Sequence, residues 1–411
     1  MGHSLPLELP ALSGTSDAVN GEATPPGLRV VRRSLLLVAL PIVFVTFGLP
    51  LRAQDLGAGG FEIGVLFSLF TVALLILRPA VGWGVDRFGR RRFFLASLAC
   101  YALTNALYAL AEGLWPLYVA RFVHGVALAG MLISTDTITA DLTDPETRTA
   151  AMGSNMASQG RGGMIGAFFA FTLVGVIPLH AWQLSFATFA LVAVVACGYA
   201  AVRLPETYLP KPDNGAVREF TMPPLLNRLT VVVVIAALGT SFVQPLYLVY
   251  LQSRFDLEMR VLAGAFLPLG LVYAILPGYL GRLAQRLGRA RSMTLGWVGT
   301  GVLYFSIPHL PTLILIIALF TLSAIGSIIA DVSRNALVGD TAGTEGTGRA
   351  FGRIEFASGL GAAIGPLAGG LVYDLLGKEL VFMVTGGFVL CAAALVPLYL
   401  RIPRDDCKLI Q

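Results

Sequence analysis

The sequence predicts an all-α membrane protein of twelve transmembrane helices arranged as two six-helix bundles, and three observations carry that prediction. Of 411 residues, 56% are apolar and 13% charged, whereas an ordinary soluble domain is about 25% charged. The apolar residues gather into twelve runs, each near the roughly 20 residues that a helix needs to cross a hydrocarbon core. The second six runs repeat features of the first at one fixed offset.

In chain order the runs lie near 34–51, 62–83, 93–110, 115–138, 152–176 and 183–202, then near 229–251, 262–281, 292–308, 312–330, 354–376 and 380–400. Basic residues occupy the gaps between them. An even number of spans puts both termini on one side. Placing that side inside leaves 22 of the 29 basic residues in inner segments and only Arg52, Arg254, Arg260 and Lys378 in outer ones. The positive-inside rule therefore predicts cytoplasmic termini, in a cell (inner or plasma) membrane. Residues 1–30 read as a disordered polar tail, 31–203 as the first bundle, 204–228 as a proline-rich linker, 229–402 as the second bundle and 403–411 as a short tail. Arg32-Arg33 before the first run mimics a signal peptide, but the run is too long for one and further spans follow.

The net charge of +5 does not imply nucleic acid, because the basic residues form no continuous polar face. Cys100, Cys197, Cys391 and Cys407 lack metal-ligand spacing, so no disulfide, metal or cofactor is expected. A monomer in the lipid bilayer is the expected state.

The repeat has an offset of 199 residues. Gly82, Arg87, Gly89, Arg90 and Arg92 recur as Gly281, Arg286, Gly288, Arg289 and Arg291; Asp141, Gly153, Gly162 and Gly166 recur as Asp340, Gly352, Gly361 and Gly365. Matches that span three regions and include charged residues point to a duplicated half. Parallel repeats related by an axis along the membrane normal are an architecture of secondary transporters, with substrate held between the halves.

Between the second and third runs lies Gly82-Trp83-Gly84-Val85-Asp86-Arg87-Phe88-Gly89-Arg90-Arg91. Gly89 permits a tight turn, Arg90 and Arg91 anchor it at the inner surface, and Asp86 needs a partner among cations. A positive-inside turn explains the arginines but not Asp86 or the glycine spacing. This segment resembles the G-x-x-x-D-R-x-G-R-R loop of the major facilitator superfamily at every fixed position. The resemblance, which covers residues 30–402, implies that Gly82, Asp86, Arg87, Gly89, Arg90 and Arg91 form a cytoplasmic gate that contacts the other half near the eleventh span.

Three further segments resemble superfamily motifs. Arg121-Phe122-Val123-His124-Gly125 is similar to R-x-x-Q-G, with histidine for glutamine, and the resemblance associates Arg121 with proton coupling. Gly361, Gly365, Pro366 and Gly369 in the eleventh span resemble the G-x-x-x-G-P-x-x-G-G motif that antiporters carry in the fifth. There this chain keeps Gly162 and Gly166 but has Ala167 and Ala170, a departure from the antiporter pattern. Close helix packing and a gating role both account for these glycines. Leu204-Pro205-Glu206-Thr207 looks like the L-P-E-T of drug-efflux branches and, in variant form, of sugar porters.

Charged residues inside spans are functional candidates by default. Arg121 lies about 9 Å in from the outer end of its run, and Arg161 about 13 Å in from the inner end. For Arg121 the alternatives are a bundle-facing position and snorkelling outward; for Arg161 they are a substrate contact and an ion pair with a neighbouring helix. Asn155 and Gln159 share a face near Arg161. Asp136 can pair with Arg161 or Arg78, exchange a proton, or be solvated, and Glu355 is similar. His124, with an unperturbed pKa of about 6.5, suits a proton relay or a buried hydrogen bond. Gln244, Tyr247 and Tyr250, with Phe44 and Phe47, are candidates for a lightly polar wall. The expected function is secondary transport of a small organic amphiphile by alternating access, as efflux in exchange for protons; proton-coupled uptake or facilitated movement of a small metabolite such as a sugar or organic anion is the alternative. Scattered histidines and the lack of a phosphate-binding loop argue against an enzyme.

Overall fold

The computed structural model describes residues 24–177, 180–207, 222–257 and 259–399. In the first half α1 (Pro26–Val38) and α2 (Pro41–Asp55) form one broken span, followed by α3 (Gly60–Phe88), α4 (Arg90–Leu110), α5 (Leu114–Asp141), α6 (Pro145–Val176) and α7 (Ala181–Arg203). In the second half α8 (Pro224–Val243) and α9 (Tyr247–Phe255) flank a 3-10 turn at Gln244–Leu246, and α10 (Met259–Ile275) and α11 (Pro277–Leu287) form another broken span. α12 (Arg289–Ser306), α13 (Leu313–Leu375) and α14 (Leu380–Tyr399) complete the molecule.

Although α13 is helical over 63 residues, it contains two spans, Leu313–Thr341 and Arg349–Leu375. A straight helix would separate Arg334 from Glu355 by about 31 Å. Their side chains form an ion pair at 3.7 Å, so the chain reverses between them. Among the described residues nine segments are long and apolar enough to cross a membrane. The other three of the twelve are α6, interrupted by Ser154, Asn155, Ser158, Gln159 and Arg161, the α10–α11 pair, and α12.

Several helices extend beyond their apolar runs. α1 starts at Pro26 inside the expected tail, α8 at Pro224 inside the expected linker, and α6 at Pro145 rather than near 152. Each opens on proline, whose missing N–H costs nothing in a first turn, and the polar residues that follow extend the helix past the hydrocarbon. The tenth span likewise runs past 330 to Thr341, which places Asp331 and Arg334 on a helix rather than in a loop. Residues 1–23, 208–221 and the tail at 403–411, with Cys407, lie outside the described residues.

The ends of the molecule differ in how their apolar residues are shared. At the end remote from Arg90 and Arg91, one core joins both halves: Phe44, Leu49, Tyr108 and Phe186 pack in the same cluster as Tyr247, Leu251, Ile316 and Phe382. Toward the basic end each half has its own core, Val31, Phe94, Met131 and Leu204 in one and Leu226, Trp297, Ile354 and Val396 in the other. The halves are thus fused at the far end and separate at the basic end.

The duplicated residues make duplicated contacts. Gly89 and Gly288 have φ of 99° and 87°, a region that suits glycine, and each is followed by an arginine paired with an acid: Arg90 Nε with Asp141 at 3.0 Å and Arg289 Nε with Asp340 at 3.1 Å. Gly162 and Gly166 of α6 lie against the carbonyls of Leu36 and Leu40, while Gly361 and Gly365 lie against those of Val234 and Leu238, and Gly369 against that of Phe242. A methyl group at any of these five sites would overlap a backbone carbonyl. Gly166→Ala is therefore expected to destabilise the protein by about 1–3 kcal/mol, the usual range for overpacking. Gly153→Ala, with nothing within 4 Å of the added carbon and a helical position that favours alanine over glycine by about 0.5–1 kcal/mol, is expected to keep or raise the unfolding temperature of the purified protein.

Candidate functional site

Between the halves lies a cavity of about 1200 Å³ whose wall includes Thr46 and Phe47, Met156, Arg161 and Met164, Thr240 and Gln244, Tyr273, Trp297, Tyr304, Phe320, Ser323, Asp331 and Arg334. The fused core closes it at the far end, leaving the basic end as its way to solvent. A smaller chamber of about 370 Å³ adjoins it, lined by Phe67, Phe70, Arg78, Arg121, His124, Gln244 and Glu355 among others. Gln244 lines both spaces because the helix breaks there before Pro245.

Arg161 is exposed to the main cavity. Its guanidinium bonds within its own helix, to the Ala157 carbonyl at 3.3 Å and Ser158 Oγ at 3.4 Å. Among the described residues no acid from a neighbouring helix pairs with it. Asn155 and Gln159, expected beside it, are not on the wall. The 100° step between helical residues turns them away: Asn155 is buried and donates to Thr139 Oγ1 at 2.8 Å, tying α6 to α5.

Arg121 does not snorkel. It is 4% exposed, donates from Nε to the Leu66 carbonyl at 3.2 Å and lies over the rings of Phe67 and Phe70 at 4.5 and 4.4 Å. Cation–π contacts and a backbone acceptor thus replace a counter-ion. Beside it the Tyr108 hydroxyl is 3.4 Å from His124 Nδ1, and the His124 ring meets Phe70 and Tyr101 edge to face. Arg121, His124 and Tyr108 form one buried polar cluster at the chamber.

Three expected wall residues belong elsewhere. Tyr247 stacks on Phe320, centroids 3.5 Å apart at 7°, and Phe44 packs among Phe171, Trp182 and Phe186. Both serve the far-end core, since large aromatic faces gain more from mutual burial than from a wet wall. Tyr250, also buried, bonds to Arg254, which holds the Pro308 and Leu310 carbonyls at 3.1 and 2.7 Å. Asp136 lines neither space and faces Arg78 electrostatically. Glu355 pairs with Arg334, and Arg334 with Asp331 at 3.5 Å. Asp331 and Arg334 follow the tenth apolar run, which ends at Ala330, so hydropathy alone puts them in a loop.

The loop expected to reach the eleventh span takes its described partners from its own half. Asp86 pairs with Arg90 at 3.4 Å and is 70% exposed, Arg90 with Asp141 at 3.0 Å, and Arg91 donates to the Ala201 carbonyl at 2.5 Å. Arg87 lies over Trp83 and Phe88, and Gly82 faces open space. Glu206 of the L-P-E-T segment accepts from the amides of Arg90 and Thr207 at 2.9 and 3.1 Å, capping the N-terminus of α4.

Across the far end the halves meet backbone to backbone. Gly60 and Gly370, and Gly64 and Pro366, approach so closely that no side chain fits at the glycines. Asp374 accepts from the amides of Gly60 and Phe61, both at 2.8 Å, placing a carboxylate on the positive end of α3. No motif flagged this residue.

The Major Facilitator Superfamily model matches residues 31–278 and 229–408. The chain is 22% identical over 358 residues to Multidrug resistance protein 1 of Bacillus subtilis (strain 168), covering 83% of this chain and 90% of that one. It is 28% identical over 327 residues to Tetracycline resistance protein, class E, of Escherichia coli, covering 76% and 78%. In fold it is similar to a bacterial homolog of the human lysosomal transporter Spinster, in an inward-facing and occupied conformation, with a TM-score of 0.78, 14% identity, and coverage of 92% of this chain and 97% of that one.

A hydrogen bond to a charged group contributes about 1.5–3 kcal/mol, so removing the two bonds of Asp374 is expected to shift the open and closed populations at the far end by more than about tenfold. With a cysteine at Gln244, Asp374→Ala should accelerate labelling by a membrane-impermeant maleimide added from the far side, and an unchanged rate would show that the carboxylate does not hold this end shut.

Proposed function

The chain belongs to the major facilitator superfamily and is a multi-pass membrane transporter of small molecules; from that premise we propose that it exports small organic amphiphiles in exchange for protons. The observation that carries this reading is the main cavity, which is sealed at one end by a core both halves share and whose wall sets polar and charged side chains among apolar ones. Such a wall holds an amphiphile by its apolar body, and Arg161, Gln244 and Thr240 can meet a polar or anionic group.

The side assignment follows from charge. The basic end faces the cytoplasm, because the segments that the sequence assigns to the inner side hold 22 of the 29 basic residues. The arrangement is then inward-open, ready to load substrate from the cell. Rocking of the halves would close the basic end and part the far end. In this reading the loop at Asp86, Arg87, Arg90 and Arg91 engages the second half when the cytoplasmic end closes, with Glu206 and Asp141 holding it in shape meanwhile. Gly361, Gly365 and Gly369 act first in packing, since they let α13 lie directly on α8, while Pro366 meets Gly64 of α3. The two similar resistance proteins support export, and the buried Arg121–His124 cluster beside the cavity supports proton coupling.

Screening expressing cells for reduced accumulation of a drug and metabolite panel identifies the substrate. Inverted vesicles with an acidic lumen should then take it up, and uptake should stop on collapsing the gradient; transport indifferent to the gradient would rule out coupling. Arg161→Ala is expected to weaken apparent affinity at least tenfold for a substrate with an anionic group, the scale of one charge-assisted hydrogen bond, and an unchanged affinity would place that group elsewhere.

A further inference from the structure

We propose that Asp331, Arg334 and Glu355 form a proton-binding site on the second-half wall of the cavity, holding one exchangeable proton between two carboxylates. This rests on the transport reading above and assigns the proton in it. The two acids reach different nitrogens of one guanidinium: Asp331 Oδ1 lies 3.5 Å from Arg334 Nη1, and Glu355 Oε1 lies 3.7 Å from Nη2. The arginine side chain is 13% exposed while those of the acids are 55% and 46% exposed, so the cation sits behind two accessible carboxylates.

Charge counting gives the group its chemistry. With both acids ionised the triad carries one surplus negative charge beside a mostly apolar space. One proton on either carboxylate removes that charge, and two acids that share a site do not both ionise freely. The event is a simple equilibrium in which a carboxylate takes up a proton to become a carboxylic acid and releases it again. Asp331 and Glu355 are also the acids among the described residues lining the two spaces, one in each. Their other ionisable neighbours there are Arg161 of α6, Tyr273 of α10 and Tyr304 of α12 in the cavity, and Arg78 of α3 with Tyr101 of α4 and Arg121 and His124 of α5 in the chamber. A proton bound at the triad therefore changes the field in both spaces.

The duplication argues against a merely structural ion pair. The pair Arg90–Asp141 recurs in the second half as Arg289–Asp340. The triad has no counterpart: 199 residues earlier stand Leu132, Thr135 and Met156.

The test is an infrared titration of the purified full-length protein in lipid, from about pH 4 to about pH 9, a range that starts near the ordinary carboxyl value, with no substrate needed. Wild type should show a protonated carboxylic C=O band that disappears as pH rises. Asp331→Asn and Glu355→Gln should each lose it, because either leaves one acid neutralised by Arg334; Asp331→Glu should retain it, and Glu112→Gln, outside both spaces, should leave it unchanged. Since both amide variants are expected to lose the band, either one that purifies decides the matter. No titrating band in wild type, or a band that survives in an amide variant, overturns the proposal. Gradient-driven transport with a surviving band would refute the triad alone; a band lost as expected with transport indifferent to the gradient would refute coupling and leave the proton site standing.

Discussion

Closure of the far end is the constraint on which the rest of the structure depends. The halves meet there through paired backbones at Gly60–Gly370 and Gly64–Pro366, the Asp374 carboxylate on the first amides of α3, and an aromatic core built from both sides. Because that end is sealed, the space between the halves has one way to solvent, and polar side chains on its wall meet water from the basic end. The same closure explains why the loop at Asp86 is paired within its own half: two rigid bundles that touch at one end diverge at the other.

Duplication and departure from it divide the molecule by role. Residues that shape turns and helix contacts recur, as with Gly89 and Gly288, Arg90–Asp141 and Arg289–Asp340, and the glycines of α6 and α13 that rest on backbone carbonyls of α1 and α8. Charged residues facing the internal spaces do not. The first half contributes cations there, Arg121 and Arg161, where the second has Phe320 and Leu360. The second contributes Asp331, Arg334 and Glu355, where the first has Leu132, Thr135 and Met156. Packing constrains both copies alike because both build the same bundle, whereas a site on the pseudo-symmetry axis sees each copy from a different side and gains from unlike partners.

The apolar runs mark all twelve spans, and what they leave out is the stretch of a helix that continues in polar residues beyond its run. α6 is legible despite Asn155, Gln159 and Arg161, but its first two turns from Pro145 are not, because they are polar. The tenth span was cut at Ala330 because Asp331 resembles the start of a loop, and the most acidic part of the wall went with it. Tyr247 and Phe44 have the side chains of a binding wall and are committed to the core instead, a distinction that composition does not carry.

The sequence by itself determined what depends on local chemistry: twelve helices from apolar length, the glycine turns from their spacing, the internal repeat from one offset, and the interior placement of Arg161 from its depth. Tertiary structure alone decided which faces of those helices meet. It turned Arg121 onto Phe67 and Phe70, joined Arg334 to acids on two different spans, and set Asp374 on a helix 314 residues away. The reason is that a helix fixes the direction of each side chain relative to its own axis, while rotation and crossing of the axes arise from packing summed over all the neighbours.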